Sequence, residues 1–449
     1  MQRTALTLSS LITSIILLIS GNAFLMTLLG LRLSMEEFSA SLIGWILVFY
    51  SLGFVAGTLW AGRIIEKVGH IRAFAVFAAI LSASILIYPM AVQAELWGFL
   101  RALGGFVMAG LMTVMESWFS SKADNRNRAT LFAVYQLVFF LSTAGGQVLI
   151  RVSDPGGFIP FSLAAILIAL ALVPLSLTRE ASPTMAQSER MSLRKLYKAS
   201  PQGAMGALVA GLLISAFYAM GPVFADRIGL DVNQLSNFMA ASIIAAMVLA
   251  WPVGRLCDRY DRHQVMLVVS CVAAVCSLGA ALVGDFNMTL LMILVGLYMG
   301  IAATLYPIAV AITNDLMESD QITATSTALL LSYGVGSCVG APLSALFMEL
   351  LGPRGLFVSN ALILGGLILF ILFGPSRPRP AVVDQQQFIT LSPEAALGLA
   401  ELDPRYTEFE ESIQPEAETE TTESDGEPVV EGQTDTVAPR PLPEEPTER

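Results

Sequence analysis

With 449 residues, 55% of them apolar and 14% charged, and a mean hydropathy of +0.68, the chain is excluded from the ordinary soluble class. Its net charge of −11 is local: residues 376–449 hold 18 of the 36 acidic and 5 of the 25 basic side chains, so the rest is close to neutral. Such a body offers no basic surface for nucleic acid. Two histidines and four cysteines without a CxxC pair point to no metal, redox motif or other cofactor.

The first apolar run, 6–31, follows Arg3 and contains Gly21, Asn22 and Ala23, a pattern shared with signal peptides. It continues through Leu31, and its removal would leave the first half a helix short, so it is read as a membrane span. A bilayer core of roughly 30 Å takes about 20 apolar residues per helix. Further runs follow at 42–61, 73–92, 97–119, 129–150 and 159–177, then, after a polar linker at 178–203, at 204–225, 235–254, 265–284, 288–312, 324–350 and 355–374. The fold class is therefore all-α membrane protein with twelve spans. With the N-terminus inside, 17 Lys and Arg fall in the inner connections and four (Arg32, Arg151, Arg227, Arg354) in the outer ones. That asymmetry predicts both termini in the cytoplasm.

GRIIEKVGHIR (Gly62 to Arg72) and GRLCDRYDRHQ (Gly254 to Gln264) both join the second and third spans of their halves, 192 residues apart. GFVM at Gly105 and GLYM at Gly296 repeat at an offset of 191. Near-constant register over two motifs indicates duplication, and six spans per unit makes the halves parallel repeats. The expected organisation is a bundle at 1–177, a linker at 178–203, a second bundle at 204–374 and a disordered acidic tail at 375–449, with one short helix near Ser392 to Leu402.

Ionisable groups at membrane depth are costly and usually functional. Two lie in the fourth span, Arg101 and Glu116, about 22 Å apart along a helix and too far to pair. Their repeat equivalents are Met292 and Pro307, so neither serves a role common to both halves. The alternative for Arg101 is an interfacial side chain snorkelling outward. On the fifth span Gln136, Thr143 and Gln147 share one face, toward either a wet cavity or a neighbouring helix. Asn22, Tyr218, Tyr298 and Tyr306 are further candidates for a cavity wall, against the alternative of plain packing.

The Gly62, Glu66, Lys67, Gly69 and Arg72 pattern resembles the loop signature of the major facilitator superfamily, and Gly254, Asp258 and Arg259 resemble its second-half echo. Glu66 stands for the usual Asp, His70 for a base, and Asp261 for the Gly. VMESW at Val114, WPVGRLCDRYDR at Trp251, LYPIAVAITND at Leu305 and LLLSYGVGSCVGAP at Leu329 are similar to the YcaD-like bacterial branch. The resemblance implies a transporter of a small solute in the inner membrane, not an enzyme, working as a monomer by alternating access. It implies gating by the loop residues, with Glu116 relaying to their bases or carrying protons or substrate. The first, fourth, seventh and tenth helices would line the pathway. Arg101 stands where a proton-coupling arginine lies in the family, and Gly334, Gly336, Gly340 and Pro342 resemble its Gly/Pro hinge. Proton-coupled efflux is one form this could take. A receptor or scaffold whose tail binds a cytoplasmic protein is the competing class; a membrane enzyme lacks a nucleophile or His cluster.

Overall fold

The computed structural model describes residues 2–121, 128–176, 191–283, 287–317 and 321–375, and the regular structure within them is helical. The first half contains α1 (Gln2–Met35), α2 (Ala40–Val68), α3 (His70–Ile87), α4 (Ala94–Ser120), α5 (Arg128–Val148), α6 (Ile159–Leu170) and α7 (Leu172–Ser176). After α8 (Leu193–Ala199), the second half contains α9 (Pro201–Arg227), α10 (Val232–Arg259), α11 (Arg262–Val283), α12 (Met288–Ala302), α13 (Leu305–Asn314), α14 (Ile322–Leu351) and α15 (Gly355–Phe373). Among the described residues twelve stretches are long and apolar enough to cross a bilayer; α6 with α7 and α12 with α13 each make one of them. The expected helix near Ser392 and most of the linker lie outside the described residues.

Helix limits follow local chemistry. Ser39, Asp231 and Asn287 accept hydrogen bonds from backbone N–H groups in the first turns of α2, α10 and α12, and Gln234 completes a capping box with Asp231. Two spans are interrupted where the sequence suggested continuous helices. Pro307 has no N–H for the carbonyl of Ala303, and the chain turns at residues 303–304 between α12 and α13. Pro174 does the same for Leu170, between α6 and α7. The second bundle begins at Pro201 rather than 204, and the linker has its own helix, capped by Ser192.

The loop signatures are also more helical than expected. Gly62, Glu66 and Lys67 occupy the last turns of α2, and the connection to α3 is Gly69 alone, at φ 85°. Gly254, Asp258 and Arg259 likewise lie within α10. Next to them Asp261, the departure from the family's Gly, accepts from the backbone N–H of His263 at 3.0 Å and so caps α11.

Packing repeats in the two halves. α2 packs on α4 as α10 does on α12; α1 packs on α5 as α9 does on α14; α3 packs on α6 as α11 does on α15. Across the divide α2 meets α14 and α5 meets α10, two contacts exchanged by the same symmetry, while α1 meets α9. A two-fold axis must bring equivalent residues together where it passes through the contact. Ser34 of α1 donates to Asp226 of α9 at 2.6 Å, and those residues are 192 apart, the offset of the loop signatures. Small residues make the closest approaches, as expected where lipid supplies no hydrophobic drive and packing must hold the helices. A side chain at Gly336 or Gly340 would run into the carbonyls of Leu208 and Leu212 on α9.

A candidate substrate cavity

A cavity lies between the halves near the middle of the spans, with about 1220 Å³ of empty space including its mouth. Its walls come from α1, α2, α4 and α5 on one side and from α9 and α14 on the other. Most lining is apolar: Ile19, Leu47, Phe54, Met108, Met112, Phe139, Ile214 and Leu330. Polar groups are Asn22, Tyr50, Ser51, Thr58, Thr143, Ser215, Tyr218, Tyr333 and Ser337, and Arg101 is the one charged side chain among the described lining residues.

Arg101 sits two turns into α4 and is 5% exposed, which removes the snorkelling alternative. Its guanidinium carbon lies 4.5 Å from the Tyr50 ring centroid, and Nη1 is 3.0 Å from the Met26 sulfur. A cation over an aromatic face gains roughly 0.5–2 kcal/mol, less than a carboxylate would provide. Nε is buried without a hydrogen-bond partner, and among the described residues no carboxylate pairs with this arginine. Asn22 completes the corner, its Nδ2 3.4 Å from the Tyr50 hydroxyl.

The remaining pathway candidates divide. Tyr218 and Thr143 line the cavity with Asn22 and Arg101. Gln147 does not: it is buried between helices, accepting from Thr27 Oγ1 at 2.5 Å and donating to the Ala23 carbonyl at 3.4 Å. Gln136 is buried away from the cavity with both polar side-chain atoms unpartnered. The tenth span supplies no lining residue among those described. Tyr306 stands behind Tyr333 of α14, ring centroids 5.4 Å apart and edge-on. Tyr298 is packed at 90° on Phe357, 6.0 Å away, inside the second bundle. The two tyrosines of that span thus pack on α15 and α14, on either side of its interruption at residues 303–304, which tyrosine spacing alone does not reveal. Of the residues expected to form a hinge, Gly334 reaches the cavity wall; Gly336 and Gly340 pack α14 against α9.

Glu116 lies outside the cavity, fully buried near the far end of α4, where Tyr135 donates to it at 3.3 Å. At the same end, here called the Gly69 end, Glu66, Lys67 and Arg72 are exposed and make no side-chain hydrogen bond or ion pair among the described residues. The second half holds a buried pair there that the sequence did not single out: Arg262 and Asp315, 2.5 Å apart and 1% and 4% exposed. Arg262 stands where the first half has His70, so the repeat register gave a clue.

The opposite, Met35 end carries polar contacts that join the halves. Besides Ser34 with Asp226, Arg227 donates to the Phe38 carbonyl at 3.1 Å. The Ser41 backbone N–H donates to Glu349 at 3.1 Å, and its hydroxyl donates to the same carboxylate. Arg151, in a short turn after α5, donates to Ser236 at 2.8 Å and to Asn237. In the sequence Arg151 and Arg227 carry information only about orientation.

A pseudo-symmetric twelve-span bundle with a cavity between its halves defines a membrane transport protein. The Major Facilitator Superfamily profile matches residues 8–304 and 231–407, and the chain belongs to that superfamily. Within it the chain falls in the YcaD-like branch. It is 28% identical over 367 residues to an uncharacterized MFS-type transporter of Enterobacter sp. strain 638, covering 81% of this chain and 94% of that one. It is also 28% identical over 355 residues to the uncharacterized MFS-type transporter YcaD of Escherichia fergusonii, covering 78% and 91%. Among solved structures a point mutant of the nucleoside transporter NupG superposes with a TM-score of 0.71 at 15% identity, covering 82% of this chain and 99% of that one. An inward-facing bacterial homologue of the human lysosomal transporter Spinster gives 0.61 at 12% identity, covering 90% and 98%. The protein is thus a multi-pass inner-membrane transporter of this superfamily.

Proposed function

We propose that the protein is a secondary active transporter that moves a small solute by alternating access, the two halves rocking about the central cavity. The carrying observation is a cavity lined by both halves of one chain, with polar contacts between those halves drawn together at the Met35 end. A cavity complete within one chain also supports a monomer as the working unit. The count of basic residues supports the Gly69 end, both termini and the acidic tail as cytoplasmic. In this reading the conformer is latched on the outside, and Glu66, Lys67, Arg72, Asp258 and Arg259 form the inner gate of the alternate conformer. The lack of partners at Glu66, Lys67 and Arg72 among the described residues is what a released gate requires. The tight α9–α14 contact at Gly336 and Gly340, beside Pro342, is the hinge on which the second half adjusts.

For coupling we propose the proton, driving efflux, with Glu116 as the group that links it to the inner gate. It is the most deeply buried carboxylate among the described residues, and Tyr135 ties it to α5. Proteoliposomes under an imposed pH gradient test both parts. Flux of a solute from a metabolite and drug panel should follow the gradient, and Glu116→Gln should flatten its pH dependence. If no solute moves under any ion gradient, the transport reading is overturned. If Glu116→Gln retains the parental pH profile, only the proton role is lost.

A further inference from the structure

We propose that the cavity binds amphipathic organic monoanions, a carboxylate on an apolar body, with Arg101 as the anion-binding side chain; this rests on the transport reading and names its substrate class. Arg101 carries five N–H donors, and its hydrogen bonding among the described residues is limited to a thioether sulfur, with Nε buried and unpartnered. A charge taken out of water without an opposite charge or full hydrogen bonding is costly. No described carboxylate relieves it, so a ligand carboxylate, matched to the planar fork of the guanidinium, is the natural counter-charge. Tyr50 covers one face of the guanidinium and leaves its edge for in-plane donation.

The rest of the wall sets the body of the ligand. Thr58, Thr143, Ser215 and Ser337 donate to carbonyls of their own helices at 2.9, 2.8, 3.3 and 3.0 Å. Their donors are therefore already engaged, which leaves Arg101 as the main source of N–H groups for an anionic acceptor. Apart from Asn22, Ser51, Tyr218 and Tyr333, the remaining wall is apolar, chiefly leucine, isoleucine, methionine and phenylalanine, and suits an aliphatic or aromatic skeleton. A cationic ligand would meet Arg101 with no compensating acid among the described lining residues.

The full-length protein in nanodiscs provides the test. Naphthaleneacetate, naphthaleneacetamide and naphthylmethylamine, and the matching octanoate, octanamide and octylamine, are titrated by calorimetry and thermal unfolding. The acids should bind and stabilise, with the amides and amines at least about tenfold weaker. Arg101→Gln should weaken the acids about thirtyfold or more, the usual scale for removing one partner of a buried charge pair, and Arg101→Lys should keep the preference for acid over amide. Should Arg101→Gln fail to fold, a protein that keeps Arg101, has its four native cysteines replaced and carries Ser51→Cys in the cavity wall serves instead: the acids, but not the amides, should slow its alkylation. Equal binding of acid and amide in both series, tighter amine binding, or no protection by either acid overturns the proposal. Transport separates the two readings. An acid that binds while no solute at all is moved across proteoliposomes refutes transport and leaves the anion site; another solute carried while no acid binds does the reverse.

Discussion

Arg101 and Glu116 share a helix and are both buried, yet their surroundings give them different work. Arg101 faces the cavity with an aromatic ring and a sulfur for company, whereas Glu116 is enclosed by protein and held by Tyr135. The two positions stood out in the sequence because charge is rare in an apolar span and because the repeat has Met292 and Pro307 there. Tyr50 gave no such signal: one tyrosine among apolar residues looks like packing until the α2–α4 contact places it beside a cation. The buried Arg262–Asp315 pair was equally hidden, since 53 residues separate its members. Arg262→Ala should lower stability by roughly 3–5 kcal/mol, because it removes the cation paired with a buried carboxylate. Replacing both together, Arg262→Met with Asp315→Leu, should recover most of that loss in thermal unfolding. A double variant no more stable than the single one would show that the pair is held for its charge.

At the level of helices, the apolar runs gave twelve spans but misjudged their ends. The stretch 62–68 is charged enough to look like a loop, yet it continues α2 because lysine and arginine stems extend a helix into the headgroup region without bringing their charges into lipid. The turn is then left to Gly69, at φ 85° and ψ 153°, a region that side chains rarely enter. Gly69→Ala should therefore cost about 1–3 kcal/mol, read as a lower unfolding temperature, whereas Gly145→Ala, with open space around its added Cβ, should be nearly silent. Gly336→Leu would press a branched side chain into the backbone of α9; overpacking of this kind costs about 1–3 kcal/mol. If the α9–α14 contact also serves as a hinge, that variant should lose transport in excess of its loss of folded protein. Flux that falls only in proportion to folded protein would leave the contact a purely structural role.

For the molecule as a whole, alternating access requires the Met35 end to open. Gly44 of α2 lies against Ala345 of α14, an added Cβ falling 2.5 Å from the alanine's own. In a background with its four native cysteines replaced, and with the two helices easing apart by about 1 Å to reach the Cβ separation a disulfide spans, Gly44→Cys with Ala345→Cys should form a disulfide that stops flux on oxidation and releases it on reduction. Full flux through the oxidised protein would exclude rocking at this interface. Asp226→Ala should favour the opened end by loosening the latch, measured as faster alkylation of Ser51→Cys from the outside. The sequence by itself determined the membrane class, the number of spans and the two-fold repeat, because hydropathy and register are local or periodic and survive in one dimension. Tertiary structure alone decided which polar residues meet. It separated Gln136, Gln147, Tyr298 and Tyr306 from the cavity, brought Tyr50 to Arg101, and placed four scattered charges, Arg151, Asp226, Arg227 and Glu349, in polar contacts that join the halves at one end. Those outcomes depend on how whole helices rotate and cross, and that is set by packing summed over many residues rather than by any motif.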